Sequence, residues 1–191
     1  MTAQVIKELL ENRRSPYSFD SSRGVAQADL RAIFDQMRWT MSCYNEQPWR
    51  YIVANRAVDE ALWQRVFEVL VEGNKPWAQV APVLALGLYK PEFARNGKPN
   101  PTAQHDLGAA SALLTVAAEA RGLAIHQMLG FDAEAATQAF ELEGTAVPFT
   151  AIAIGYAGPN DALPQDYRDR EARPRERMGL DELILQGSLD G

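Results

Sequence analysis

The residues best suited to chemistry in this chain are arginines, and they lie toward its two ends. Fifteen of the nineteen basic residues are arginine, and Arg168, Arg170, Arg173, Arg175 and Arg177 fall within ten consecutive positions. At the other end, Arg13-Arg14-Ser15 supplies two guanidinium forks and a hydroxyl. Such forks suit phosphate, because each donates two parallel charge-assisted hydrogen bonds. Arg175 and Arg177, two residues apart, point the same way in an extended segment. A third group is the turn Ser42-Cys43-Tyr44-Asn45-Glu46-Gln47-Pro48, with small hydrogen-bonding side chains at Ser42 and Asn45. Each of the three alone also fits a solvated polar face; their combination points to a phosphate-bearing ligand.

Other chemistries lack the residues they need. There is no glycine-rich phosphate loop with lysine, no G-x-G-x-x-G and no G-x-S-x-G elbow. His105 and His126 stand twenty-one residues apart with no Cys or His at ligand spacing, so no metal site is expected. His105 suits local hydrogen bonding near a helix start, and His126 a core or pocket-lining position. Cys43 reads as a small turn residue rather than a nucleophile. A net charge of −6 argues against nucleic acid as the main partner, since phosphate backbones need a basic surface.

Composition sets the frame. With 47% hydrophobic and 23% charged residues the chain is globular, and its 191 residues suit one buried core, so a single domain over 1–191 is expected. No apolar run approaches the roughly 20 residues of a membrane span. The opening MTAQVIKELLENRR is amphipathic and lacks an apolar signal core. The lone Cys43 excludes an internal disulfide and fits a reducing compartment. A soluble cytoplasmic protein is the expectation.

The elements that must position the arginines follow from periodicity. Val5, Ile6, Leu9 and Leu10 form a helical stripe that ends before Arg13, where Pro16 biases Ser15 away from helix. Leu30, Ile33, Phe34 and Met37 mark a second helix over 29–38, and Leu62, Val66, Val69 and Leu70 a third that stops at Gly73-Asn74. Strands are expected around 51–54, over 83–89, over 123–128 and over 148–156. A long helix runs from 102 to 121 with Gly122 as its C′ residue, and Asp132 caps a helix over 133–140. Residues 90–101, with three prolines and a glycine, read as a mobile loop, and 178–191 as a C-terminal tail carrying a helical motif over 180–185. The class is α+β.

In order along the chain, Arg13-Arg14-Ser15-Pro16 with Phe19-Asp20, Tyr44-Asn45-Glu46-Gln47-Pro48-Trp49-Arg50, Asn74, Asp106-Leu107-Gly108-Ala109-Ala110, Gly130-Phe131-Asp132, Ala153-Ile154-Gly155-Tyr156 and Arg175-Glu176-Arg177 resemble the landmarks of the nitroreductase family. The resemblance spans residues 5–185. It implies a central, mainly antiparallel sheet flanked by helices, in an intertwined homodimer with FMN at the subunit interface. Arg13, Arg175 and Arg177 would hold the FMN phosphate, and Arg14 and Ser15 the phosphate, ribityl chain or ring edge. Asn74 would bond the polar edge of the flavin, and Met41, Ser42, Cys43 and Asn45 would reach it from the partner subunit. Leu129 and Gly130 would place a backbone N–H near flavin N5, with Gln127 and Met128 lining that side. Glycine there would let the backbone approach the ring.

One departure stands out. Family members often carry Arg or Lys where this chain has Tyr17, near the flavin N1/O2 edge; Arg50 is one candidate substitute. Trp77 suits either a pocket for flat apolar substrates or the core. The implied activity is ping-pong: NADH or NADPH reduces the flavin at N5, and a nitroaromatic or quinone-like acceptor, a small aromatic molecule, reoxidises it. No acid–base residue is assigned. Two alternatives stay open: another reaction on the same fold, such as reductive dehalogenation or flavin-consuming chemistry, and a binding protein for a phosphate-bearing ligand without turnover.

Overall fold

The computed structural model describes residues 3–187. Four strands form one sheet in the order β1-β2-β4-β3, with every neighbouring pair antiparallel. These are β1 (Trp49–Asn55), β2 (Val83–Tyr89), β3 (Ala124–Met128) and β4 (Val147–Gly155). Strands β2 and β4 lie in the middle, which is why their sequences VLALGLY and AIAIG are apolar at nearly every position. Alternate side chains feed opposite layers. Val83 and Ala85 of β2 join Ile33, Leu107, Leu114, Ile152 and Ile154 in one core. Leu84, Leu86 and Leu88 join Trp63, Val66, Trp77 and Ala153 in the other.

Helices cover both faces. Helix α2 (Gln27–Met37) and the long α5 (Ala103–Glu119) cover the first; α3 (Glu60–Glu68), the short α4 (Lys75–Ala78) and α6 (Ala133–Ala139) cover the second. The expected boundaries hold within a few residues. Gly122 adopts φ +70° at the C′ position of α5, a conformation that glycine reaches without steric cost. Asp132 caps α6 by accepting from the Ala135 N–H at 2.9 Å. The architecture is α+β, as the periodicity indicates.

Three segments carry features that periodicity did not show. Helix α1 (Ala3–Asn12) forms, yet none of its residues is buried, so its apolar stripe has no core among the described residues. Residues 90–101 are closed on themselves: Phe93 N–H donates to Lys98 O at 2.9 Å and Asn100 N–H to Pro91 O at 2.7 Å, with Phe93 and Asn100 buried. Within the arginine-rich segment a helix α7 (Gln165–Glu171) forms where sequence periodicity showed none. Its sequence QDYRDRE carries a single buried residue, Tyr167, so charge pairs rather than an apolar stripe mark it, as with Arg170 and Asp166 at 3.7 Å. The tail helix α8 is limited to Leu180–Leu183, and residues 188–191 of the expected tail lie outside the described residues.

Candidate functional site: an arginine cleft and an exposed turn

The two ends of the sequence meet. Arg13, Arg14, Ser15 and Tyr17 face Arg170, Arg173, Arg175 and Arg177 across a cleft of about 610 Å³. Its construction is explicit. Arg14 turns back on the end of α1, donating to the carbonyls of Glu11 at 2.9 Å, Arg13 at 3.2 Å and Asn12 at 3.3 Å. Arg175 reaches the same helix end from the far side of the chain, donating to Leu10 O at 2.9 Å and to Glu11 O. Both guanidiniums thereby satisfy C-terminal carbonyls that the helix leaves without partners. Glu171 accepts from the Tyr17 and Ser18 N–H groups at 2.6 and 2.8 Å, tying α7 to the opening loop.

The remaining cations are poised differently. Arg13 donates to Ser15 Oγ at 3.0 Å, and Arg177 donates to the carbonyl of Glu176. Among the described residues, none of Arg13, Arg14, Arg175 and Arg177 forms an ion pair. The crowding of cations is felt at Arg13 and Arg175. Burial lowers the Arg13 pKa, and Arg177 and Arg14 lower it further while Glu119 opposes. Arg175 is lowered by burial and then by Arg177, Arg13 and Arg14, with Glu11 opposing. An anion placed among these guanidiniums would offset their repulsion, because it would face several like charges at once.

The fold places three further arginines. Arg50 does not enter the cleft; it sits on β1 and donates to the carbonyls of Gln47 and Trp49 at 2.9 and 2.6 Å. Arg170 and Arg173, both exposed, line the cleft together with Tyr17. Spacing along the sequence could not reveal this, since it depends on where α7 packs. Tyr17 itself sits among aromatic rings, with Trp77, His126 and Tyr167 centroids at 5.3, 4.9 and 5.2 Å. Trp77 is fully buried, so it belongs to the core rather than to a substrate wall.

A second group gathers around Gly130. The Asn74 amide donates Nδ2–H to Gly130 O at 2.9 Å and accepts from Trp77 Nε1–H at 3.3 Å. A Cβ on Gly130 would lie 2.3 Å from Asn74 Nδ2. The glycine is therefore required by its own neighbour, a reason the sequence did not show. Leu129 beside it is 72% exposed, whereas Met128 is buried. Gln127 points the other way, donating to Ser111 O at 3.0 Å and Thr115 Oγ1 at 2.9 Å on α5.

Met41, Ser42, Cys43 and Asn45 do not line the arginine cleft of their own chain. They form a projecting turn around a short 3-10 segment, Cys43–Asn45, with Tyr44, Asn45 and Gln47 all at positive φ. That backbone is held by specific bonds. The buried Asp106 carboxylate accepts from Cys43 N–H at 3.2 Å, and Ser42 Oγ accepts from Gln47 N–H at 3.0 Å. Glu46 accepts from Ala94 N–H at 2.6 Å, and Arg95 lies 4.1 Å over the Tyr44 ring. The turn thus presents Met41, Tyr44 and the adjacent Trp39 to solvent, an apolar display that monomeric surfaces rarely carry.

Fold and site together define a class: an antiparallel sheet between helical layers, with an arginine-lined cleft built from both chain ends. The sequence model of the nitroreductase family matches residues 10–83. A 15.4 kDa protein of Mycolicibacterium smegmatis is 34% identical over 148 residues, covering 72% of this chain and 95% of that one. The major NAD(P)H-flavin oxidoreductase of Aliivibrio fischeri is 28% identical over 96 residues, covering 50% of this chain and 44% of that protein. A solved structure of an oxidoreductase containing FMN superposes with a TM-score of 0.87 at 29% identity, covering 96% of this chain and 92% of that one. This chain belongs to the nitroreductase family.

Proposed function

We propose that the chain is an FMN-dependent NAD(P)H oxidoreductase that works as a homodimer, accepting electrons from NADH or NADPH and delivering them to nitroaromatic or quinone-like molecules. The observation that carries this reading is the cleft in which Arg13 and Arg177, among the described residues, stand without ion-pair partners, the Arg13 pKa being lowered by burial and then by Arg177. The donor set fits a phosphate dianion: two forks with free N–H groups, the Ser15 hydroxyl, and Arg173 on the rim. Arg14 and Arg175 shape the cleft by fixing the end of α1. When bound, FMN supplies two-electron transfer between the nicotinamide and the acceptor.

The chain's own residues do the positioning. Tyr17 and Arg170 line the cleft beyond the phosphate donors, and Arg170 stands as the cation nearest in role to the one absent at position 17. Asn74 and Gly130 form a rigid polar edge, and among the described residues the Gly130 N–H donates to no loop or turn carbonyl, leaving it for a ligand. Met41, Ser42, Cys43 and Asn45 project from the surface and serve the site of a second copy, which also covers their apolar display.

The test is direct. Purified full-length protein is expected to take up FMN, turn yellow, and lose its visible absorption when NADH or NADPH is added without oxygen. Reoxidation by nitro, quinone and flavin acceptors then ranks substrates. A protein that remains colourless in excess FMN defeats the reading; reduced flavin that no acceptor reoxidises reduces it to a binding protein.

A further inference from the structure

One residue joins the arginine cleft to the Gly130 edge and has no role in the reading above. His126 lies half-buried on β3 with its Nδ1 2.9 Å from the carbonyl oxygen of Pro16. A carbonyl only accepts, so Nδ1 carries a proton, and in the neutral imidazole Nε2 then does not. Pro16 is buried and directly follows Arg13-Arg14-Ser15, so this bond anchors the loop that supplies half the cleft. On its other side the imidazole stacks on Trp77, with centroids 4.4 Å apart and planes 26° from parallel. Trp77 Nε1–H reaches Asn74 Oδ1, and Asn74 Nδ2–H reaches Gly130 O. Contacts therefore run unbroken from Pro16 through His126, Trp77 and Asn74 to Gly130.

We propose that His126 is a positioning residue with two separable tasks: its Nδ1–H fixes the Arg13-Arg14-Ser15 loop for an anion, and its ring, through Trp77 and Asn74, fixes Gly130 for the flat part of the same ligand. The inference rests on the flavin reading and adds to it a residue that touches neither phosphate nor ring. Two substitutions divide the tasks. His126→Phe keeps a stacking ring but leaves the buried Pro16 carbonyl unpaired. His126→Asn keeps an amide N–H near the place of Nδ1 but removes the stack.

The probes are inorganic phosphate, FMN, and riboflavin, which has the ring without the phosphate, titrated against the full-length protein. His126→Phe is expected to weaken phosphate and FMN about tenfold, roughly 1.4 kcal/mol, while riboflavin is unchanged. His126→Asn is expected to keep phosphate affinity, weaken riboflavin, and shift the visible band of bound flavin. Nitrogen NMR of the wild-type imidazole is expected to show the Nδ1–H tautomer, a measurement that needs no variant to fold. An Nε2–H tautomer, unchanged affinities in both variants, or equal losses for all three ligands that follow melting temperature each overturn the proposal. Wild-type protein that binds neither phosphate nor FMN overturns the flavin reading and this inference with it.

Discussion

The arginine cleft and the projecting turn are built on opposite plans. The cleft is built within one chain: Arg175 grips α1, Glu171 grips the backbone after Pro16, and the cations line one shared opening. The turn is equally well held at its base, by Asp106 and Glu46, but its apolar groups face outward, with Met41 and Trp39 each 77% exposed. The difference follows from the ligand each suits. A phosphate needs concentrated charge and hydrogen-bond donors, which one chain supplies by folding its ends together. A flat apolar ring needs two surfaces, and this chain offers one here.

The largest expected effect tests the closed half. Replacing Arg13 and Arg177 together by Ala removes the two cleft cations that do not turn to the carbonyls of α1, and about 1.5–3 kcal/mol per charged hydrogen bond predicts a loss of FMN affinity of at least about a hundredfold. Riboflavin binding, titrated in parallel, should change little; an equal loss of both would show that the cleft does not hold the phosphate.

The open half is tested by Met41→Glu. Burying a methionine side chain is worth about 1.5–3 kcal/mol, so placing a carboxylate there should weaken FMN binding about tenfold or more and shift sedimentation toward the 21.2 kDa monomer. The melting temperature of dilute, ligand-free protein should stay put, because Met41 packs on little within its own chain. A dimer that survives the substitution with full flavin affinity would mean that the turn serves no second copy.

The smallest effect is a pH dependence. Burial lowers the His126 pKa, against the Pro16 hydrogen bond and Glu171, with Arg13 assisting. The unfolded chain therefore takes up a proton that the folded chain refuses once pH falls below about 6.5. Stability should be full above that pH and decline below it, down to the depressed folded value. Urea unfolding between pH 7.5 and 5.5 measures the slope, and His126→Phe should flatten it. A slope that persists in the variant assigns the proton uptake to other groups.

Much of the fold was legible because its signals are local. The apolar runs of β2 and β4, the stripe Leu30-Ile33-Met37, Gly122 after a long helix and Asp132 before a short one each depend on a few neighbouring residues. Helix α7 escaped because its sequence QDYRDRE has one buried side chain and no apolar period to read. Residues 90–101 read as loose because prolines and a glycine break periodicity, yet backbone hydrogen bonds across the loop close it.

The amino-acid sequence by itself determined the residue types: forks for a phosphate at both ends, an antiparallel α+β scaffold between them, and the landmarks of the nitroreductase family. Only the tertiary structure decided which forks remain available. Arg14 and Arg175 turn to the carbonyls of α1, Arg13 and Arg177 do not, and Arg170 and Arg173 join the cleft because α7 packs beside Tyr17. It also decided that Gly130 is required by Asn74, and that His126 spans the distance between the two ends of the site. Hydrogen-bond partners more than fifty residues apart carry no local signature, so their choice is made only when the chain has folded.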